Sequence, residues 1–158
     1  MKKAGLTVGG FYKHFKSRDA LVAEAVGSSL DMWKDRFDAA AAGGPRFTYD
    51  SLVDDYLSEA HCNHPGIGCP VGALAGDIAR SDNHTRAVAT RKIRDNIELL
   101  AGLIRDKNKT GKDTARSRAA MSYCAMVGAI SMARAVSDKE LSREILTTVS
   151  RRLKNPAS

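Results

Sequence analysis

The chain has 158 residues, 43% of them hydrophobic and 27% charged, a balance that allows one buried core of ordinary globular kind. Its longest uncharged apolar run, residues 119–133 between Arg118 and Arg134, falls short of the roughly 20 residues a membrane span needs, and no stretch near Met1 reads as an export signal. The net charge of +7 points to polyanionic partners, and an odd set of 3 cysteines fits reduced thiols in a cytoplasm better than a disulfide framework.

The basic charge is concentrated at the start, where Lys2, Lys3, Lys13, Lys16 and Arg18 all precede the first acid, Asp19. Residues 4–26 predict a turn, a short helix, a second turn and the beginning of a long helix. Gly5 supplies the conformational freedom of a helix-ending turn, and Thr7 offers an N-cap oxygen to the next helix. At about 100° per residue, Val8, Phe11 and Phe15 share one stripe, while Gly9, Tyr12, Lys13 and Lys16 lie opposite, flanked by Gly10 and His14. Gly9 and Gly10 cost the helix roughly 1 kcal/mol each relative to Ala. Keeping both there suits a backbone that approaches another surface closely, as the N-terminal part of a recognition helix does in a major groove. Ser17 then caps the long helix, with Asp19 in its first turn.

Along that helix Val22, Val26, Leu30, Trp33 and Phe37 recur on one face, until Gly43, Gly44 and Pro45 stop it. Leu52, Val53, Tyr56, Leu57 and Ala60 predict the next helix. The run His64-Pro65-Gly66-Ile67-Gly68-Cys69-Pro70 is a break, with Pro70 placed to start a short helix through Ala79. Ile93, Ile97, Leu100 and Ile104 mark a helix over 85–107, and residues 108–113 form a basic polar loop. The helix over 114–135 is rich in Ala, Gly and Ser, with Tyr123, Val127 and Ile130 filling gaps. The last helix carries Leu141, Ile145, Val149 and Leu153 at every fourth position. The stripes alone fit an intramolecular bundle as well as a four-helix seam between two copies.

The string Ala4-Gly5-Leu6-Thr7, then Gly10-Phe11-Tyr12-Lys13-His14-Phe15 and Lys16-Ser17-Arg18-Asp19-Ala20-Leu21, resembles the signature of TetR/AcrR-type transcriptional regulators. The resemblance implies an all-α fold: a helix-turn-helix head over residues 1–30, and a TetR-type bundle for effector binding and dimerisation over 31–158. It implies a ligand-responsive repressor, homodimeric and cytoplasmic, acting on a palindromic DNA operator. By it, Thr7, Val8, Gly9, Gly10, Tyr12, Lys13 and His14 match groove and phosphate contacts, and Arg18 the basic residue opening the following helix. It also implies an effector pocket among the C-terminal helices, for which Trp33, Phe37, Tyr56, Met121, Tyr123 and Met126, together with Met132, are aromatic or adaptable enough to line. The effector's identity is not written in the sequence. The family pattern places a first helix and most of a second before the position of Ala4, where this sequence has only Met1, Lys2 and Lys3. A remnant head is therefore expected, whose Val8, Phe11 and Phe15 lack partners worth roughly 1.5–3 kcal/mol each. The alternative reading is a dimerising, ligand-binding module without autonomous DNA binding.

Other chemistries have less to rest on. His61, Cys62, His64 and Cys69 are zinc-type residues, but their spacing matches no strong zinc pattern, and a helix connection explains it. Neither a metal nor a cofactor is expected. Cys69 in Gly68-Cys69-Pro70 sits at a helix start, where a thiol can ionise more readily, so a redox role stays open. No nucleophile elbow, phosphate loop or dinucleotide fingerprint occurs, and Asp35, Asp38, Asp54 and Asp55 read as solvent-facing charge. No catalytic residue is expected. A second basic group, from Arg86 to Arg118, reads as a solvated helix face and loop.

Overall fold

The computed structural model describes residues 13–29, 32–108 and 111–155. Thr7, Val8, Gly9, Gly10 and Tyr12, expected at DNA, lie outside them. Among the described residues all regular structure is helical, and no helix is long and apolar enough to cross a membrane. The fold of the described residues is all-α.

Helix α1 spans Arg18–Ser29 and starts as expected, with Ser17 Oγ accepting the Ala20 amide at 3.0 Å. It buries Val22 and Val26. Helix α2, Met32–Ala41, buries Trp33 and ends where Gly43 takes φ +93° and the Gly44 amide reaches back to the Ala39 carbonyl at 2.9 Å. The helix thus ends at the expected Gly-Gly-Pro stop, on a left-handed glycine.

The helix expected over Leu52 to Ala60 is two. Helix α3, Tyr49–Tyr56, opens on a Thr48/Ser51 capping box and buries Tyr49, Leu52, Val53 and Tyr56. Ser58 then caps α4, Glu59–Asn63, accepting the His61 amide at 3.1 Å and donating to the Asp55 carbonyl at 2.8 Å. A Ser hydroxyl that satisfies both flanking helix ends competes with helix continuation. Ala60, grouped with the apolar stripe, is exposed as a result.

A 3₁₀ turn at Pro65–Ile67 leads into α5, Pro70–Arg80, with proline at its first turn. Asp82 accepts the Thr85 amide at 2.8 Å and opens α6, Asn83–Asn108, which packs along α7, Lys112–Ala135. Asp138 caps the last helix, α8, Lys139–Lys154. The core runs from Val26 through Leu52 and Val53 to Leu100 and Ile104 of α6 and Met126 and Ile130 of α7. Ala115, Ala119, Ala129 and Ala133 are buried on α7 and let its neighbours approach closely. On α8 the fully buried residue is Leu146, whereas Leu141 is exposed and Ile145, Val149 and Leu153 are only half-buried. The stripe of α8 therefore packs along the edge of the core through Ile145, Val149 and Leu153 and leaves Leu141 outside it.

Candidate functional site

At the described edge of the head, Lys13 and His14 are helical and exposed. Arg18, matched to the basic residue that opens this helix, pairs with Asp77 on α5, which also receives Arg80 at 3.4 Å. The Arg18 hydrogen bond, with the two guanidinium charges, holds the Asp77 carboxyl below its usual range. Thr85 Oγ1 donates to the Asp19 carbonyl at 3.2 Å, so the start of α1 is tied to both α5 and α6.

The residues expected at the effector pocket divide into two groups. Trp33 packs edge-on against Tyr56 and Tyr123, with ring centroids 5.6 and 5.5 Å apart. All three are buried, and Met126 is fully buried in the same core. Phe37 and Met121 are not brought to them. Phe37 is 41% exposed, beside a separate cavity of about 450 Å³ with Phe47, Tyr49 and Lys107. Met121 and Met132 are 62% and 60% exposed. They flank a face of α7 on which Gly128 opens onto empty space, and between α7 and α8 runs an apolar groove of about 410 Å³ lined by Ala125, Gly128, Met132, Leu141 and Ile145.

Beneath the aromatic trio lie polar groups that the sequence reading did not join. Cys69 Sγ is 3.8 Å from Tyr123 Oη. His61 packs on Tyr56 at 4.6 Å, its Nδ1 hydrogen donated to the Tyr56 carbonyl at 2.5 Å and its Nε2 accepting the Cys69 amide at 3.1 Å. A carbonyl can only accept and an amide only donate, so the ring is the neutral Nδ1–H tautomer. Burial lowers its pKa, and the Arg134 charge acts in the same direction, against the Tyr56 hydrogen bond. Burial also pushes the phenols of Tyr56 and Tyr123 far above their usual range. His61 and Cys69 thus serve a chain reversal. Among the described residues no three metal-ligating side chains converge.

Arg134, which the sequence reading used only to bound an apolar run, is the charged member of this region. Its Nε donates to the Cys62 carbonyl at 3.0 Å and its Nη2 to the His61 carbonyl at 2.6 Å. Its Nη1 and the Tyr56 hydroxyl are both buried without a hydrogen-bond partner. The signal available was an isolated arginine following a run of small and apolar residues near a helix end. Arg134 also lines a groove of about 970 Å³ between α4, α5 and the α7–α8 corner, with Gly72, Gly76, Ser131 and Lys139.

No protein-family model matches the chain, and no curated protein matches it. Among solved structures, the reduced form of NemR from E. coli has the same fold, at a TM-score of 0.69 and 20% identity, over 98% of this chain and 81% of that one.

Proposed function

We propose that the chain is a ligand-responsive transcriptional regulator of TetR/AcrR type, a cytoplasmic repressor that binds a palindromic operator as a homodimer, and not an enzyme. The observation that carries this reading is the head signature of residues 4–21 joined to an all-α body of this architecture. The fold shared with NemR supports the all-α body of this reading.

The α7–α8 face supports the dimer. Exposed Met121, Met132 and Leu141 surround the side-chain-free hollow at Gly128. Protruding thioethers beside a hollow on one surface are self-complementary under a twofold axis, which places each methionine over the opposite copy's small residues. In a dimer, Tyr12, Lys13 and His14 enter successive major grooves. An effector among the body helices that favours another spacing of the heads releases the operator by population shift.

The test is competition between a palindromic duplex from the neighbouring promoter and a random duplex of equal length, at physiological salt. Preference for the palindrome, lost in Tyr12→Ala and Lys13→Ala with the dimer intact, is the expected result. Equal affinity for both duplexes, varying only with salt, is charge attraction alone and defeats the proposal.

A further inference from the structure

One basic side chain at the edge of the head is held by its own protein. Across residues 13–18, Lys13 and Lys16 are exposed and have no carboxylate partner among the described residues. Arg18 does have one: it donates to Asp77 on α5, 59 positions along the chain. The same Asp77 oxygen, Oδ1, receives a second guanidinium from Arg80 at 3.4 Å. Arg80 lies back along α5 over Gly76, where a Cβ would stand 3.5 Å from its Nη1. Two cations thus share one acceptor atom, and the cluster keeps a surplus positive charge.

The two ties at the start of α1 differ in kind. Thr85, fully buried, donates its hydroxyl to the Asp19 carbonyl at 3.2 Å, which fixes backbone to the body away from water. The Arg18 tie lies in water, its side chain 66% exposed and that of Arg80 72%. Ion pairs in such positions are weak, because water competes for both partners and two side chains lose freedom. A phosphate competes better than water, since a guanidinium meets it with two parallel charge-assisted bonds. Departure of Arg18 would strand the Asp77 carboxylate beside an incoming phosphate, were it not for Arg80, which stays on Oδ1. The second guanidinium removes the repulsion that opposes the exchange. The Thr85 tether holds the helix start in place, so that only the Arg18 side chain has to move.

We propose that Asp77 is an internal competitor for nucleic-acid phosphate: its carboxylate occupies Arg18 in the free chain, yields it to a phosphate when DNA docks, and is left neutralised by Arg80. This deepens the regulator reading by naming a contact within the chain that sets how tightly the head grips DNA, and it rests on that reading for DNA as the competitor. Because Asp77 stands on α5, a ligand among the body helices that displaces α5 changes the strength of this competition, and by linkage the affinity for DNA.

Binding of the full chain to a random duplex is measured by fluorescence anisotropy at about 0.15 M salt, where charges more than about 8 Å apart are largely screened. Asp77→Asn, which keeps the side chain's size, is expected to tighten binding about threefold, the scale of an exposed ion pair. The same change in an Arg18→Gln chain is expected to have little effect, because no guanidinium is left to release. Arg80→Gln is expected to weaken binding in the native background and to have little effect in an Asp77→Asn chain. The Arg18 Nε–H resonance gives a reading independent of affinity. It is expected to move with Asp77→Asn in the free chain, and to move in the native chain on adding duplex to a position that Asp77→Asn no longer changes. Weaker binding in Asp77→Asn would mean that the pair only braces the head, and an equal gain with and without Arg18 would mean that Asp77 acts merely as a distant charge. Either overturns the exchange, as does an Arg18 resonance that duplex leaves in place, or a chain that binds no duplex. Exchange on a random duplex by a chain that never prefers its palindrome leaves the competitor standing and removes the regulator. Palindrome preference with an affinity indifferent to Asp77 does the reverse.

Discussion

The two sides of α7 carry similar residues and meet opposite environments. One side holds Ala119, Ser122, Met126, Ala129 and Ala133, all buried, and the other Met121, Ala125, Gly128 and Met132, of which both methionines are more than half exposed. Small residues with interspersed methionine serve an intramolecular core on one side and an uncovered face on the other. Composition along a helix therefore identifies close packing without identifying the neighbour. The register, a shift of one or two residues around the axis, decides which it is.

The largest effect that sharpens this contrast lies in the methionines. Met126→Ala removes a fully buried side chain and is expected to cost about 2–5 kcal/mol in chemical denaturation, the usual range for a core cavity. Met121→Ala and Met132→Ala are expected to leave monomer stability within about 0.5 kcal/mol. The double variant should nevertheless raise the dimer dissociation constant at least about tenfold in sedimentation, as loss of interface anchors does. Equal destabilisation at all three positions, or an unaltered association state in the double variant, breaks the comparison.

A smaller contrast lies in two glycines. At Gly72 a methyl group meets Ile130 at 2.7 Å, whereas at Gly128 nothing lies within 4 Å. Gly72→Ala is expected to destabilise the fold by about 1–3 kcal/mol, as overpacking does. Gly128→Ala should stabilise the monomer by up to about 1 kcal/mol through helix propensity. Gly128→Leu should leave the monomer folded and weaken the dimer by wedging the two copies apart. A monomer unfolded by Gly128→Leu would place that face inside the bundle instead.

Most helix boundaries were legible because they are set locally. Ser17, the Gly43–Gly44 stop, Pro70 and the apolar spacing of α6 and α8 act within a few residues of where they stand. The division at Ser58 was not legible, since a serine inside an apolar pattern gives no sign that its hydroxyl will serve both helix ends. Of the candidate site, the aromatic character of Trp33, Tyr56 and Tyr123 was read from residue type, and they meet because three helices cross there. Phe37 shares their stripe by spacing, but the part of α2 that carries it faces solvent. The contact of Tyr56 with Gly72 and Arg134 joins residues far apart in sequence through a missing side chain, and no local pattern encodes it. Arg18 shows the same limit, because its partner Asp77 belongs to a helix whose position follows only from the packed body.

The smallest expected effect tests the buried side of α7 through its contact with His61. The folded imidazole donates from Nδ1 to Tyr56 and accepts at Nε2 from Cys69, while Arg134 adds a positive charge nearby. Burial and Arg134 lower its pKa from the unfolded value of 6.5. Below that value the unfolded chain takes up a proton on His61 that the folded chain refuses, so stability rises with pH across this window. The contribution is therefore fully present above about pH 6.5 and is lost as the pH falls from there toward the lowered folded pKa. Protonation also turns Nε2 from acceptor to donor against the Cys69 amide, removing the link that holds the start of α5. Thermal melts between about pH 7.5 and pH 5 should show a falling midpoint in the native chain. His61→Gln should start lower and fall less, since it lacks the imidazole whose pKa burial lowers. The Asp77 and Asp82 carboxyls, both held below their usual range by hydrogen bonds, act only at more acidic pH and do not blur this window. Parallel slopes in the two proteins would mean that His61 accepts its proton without loss, and that the neutral tautomer is not what ties α5 to α3.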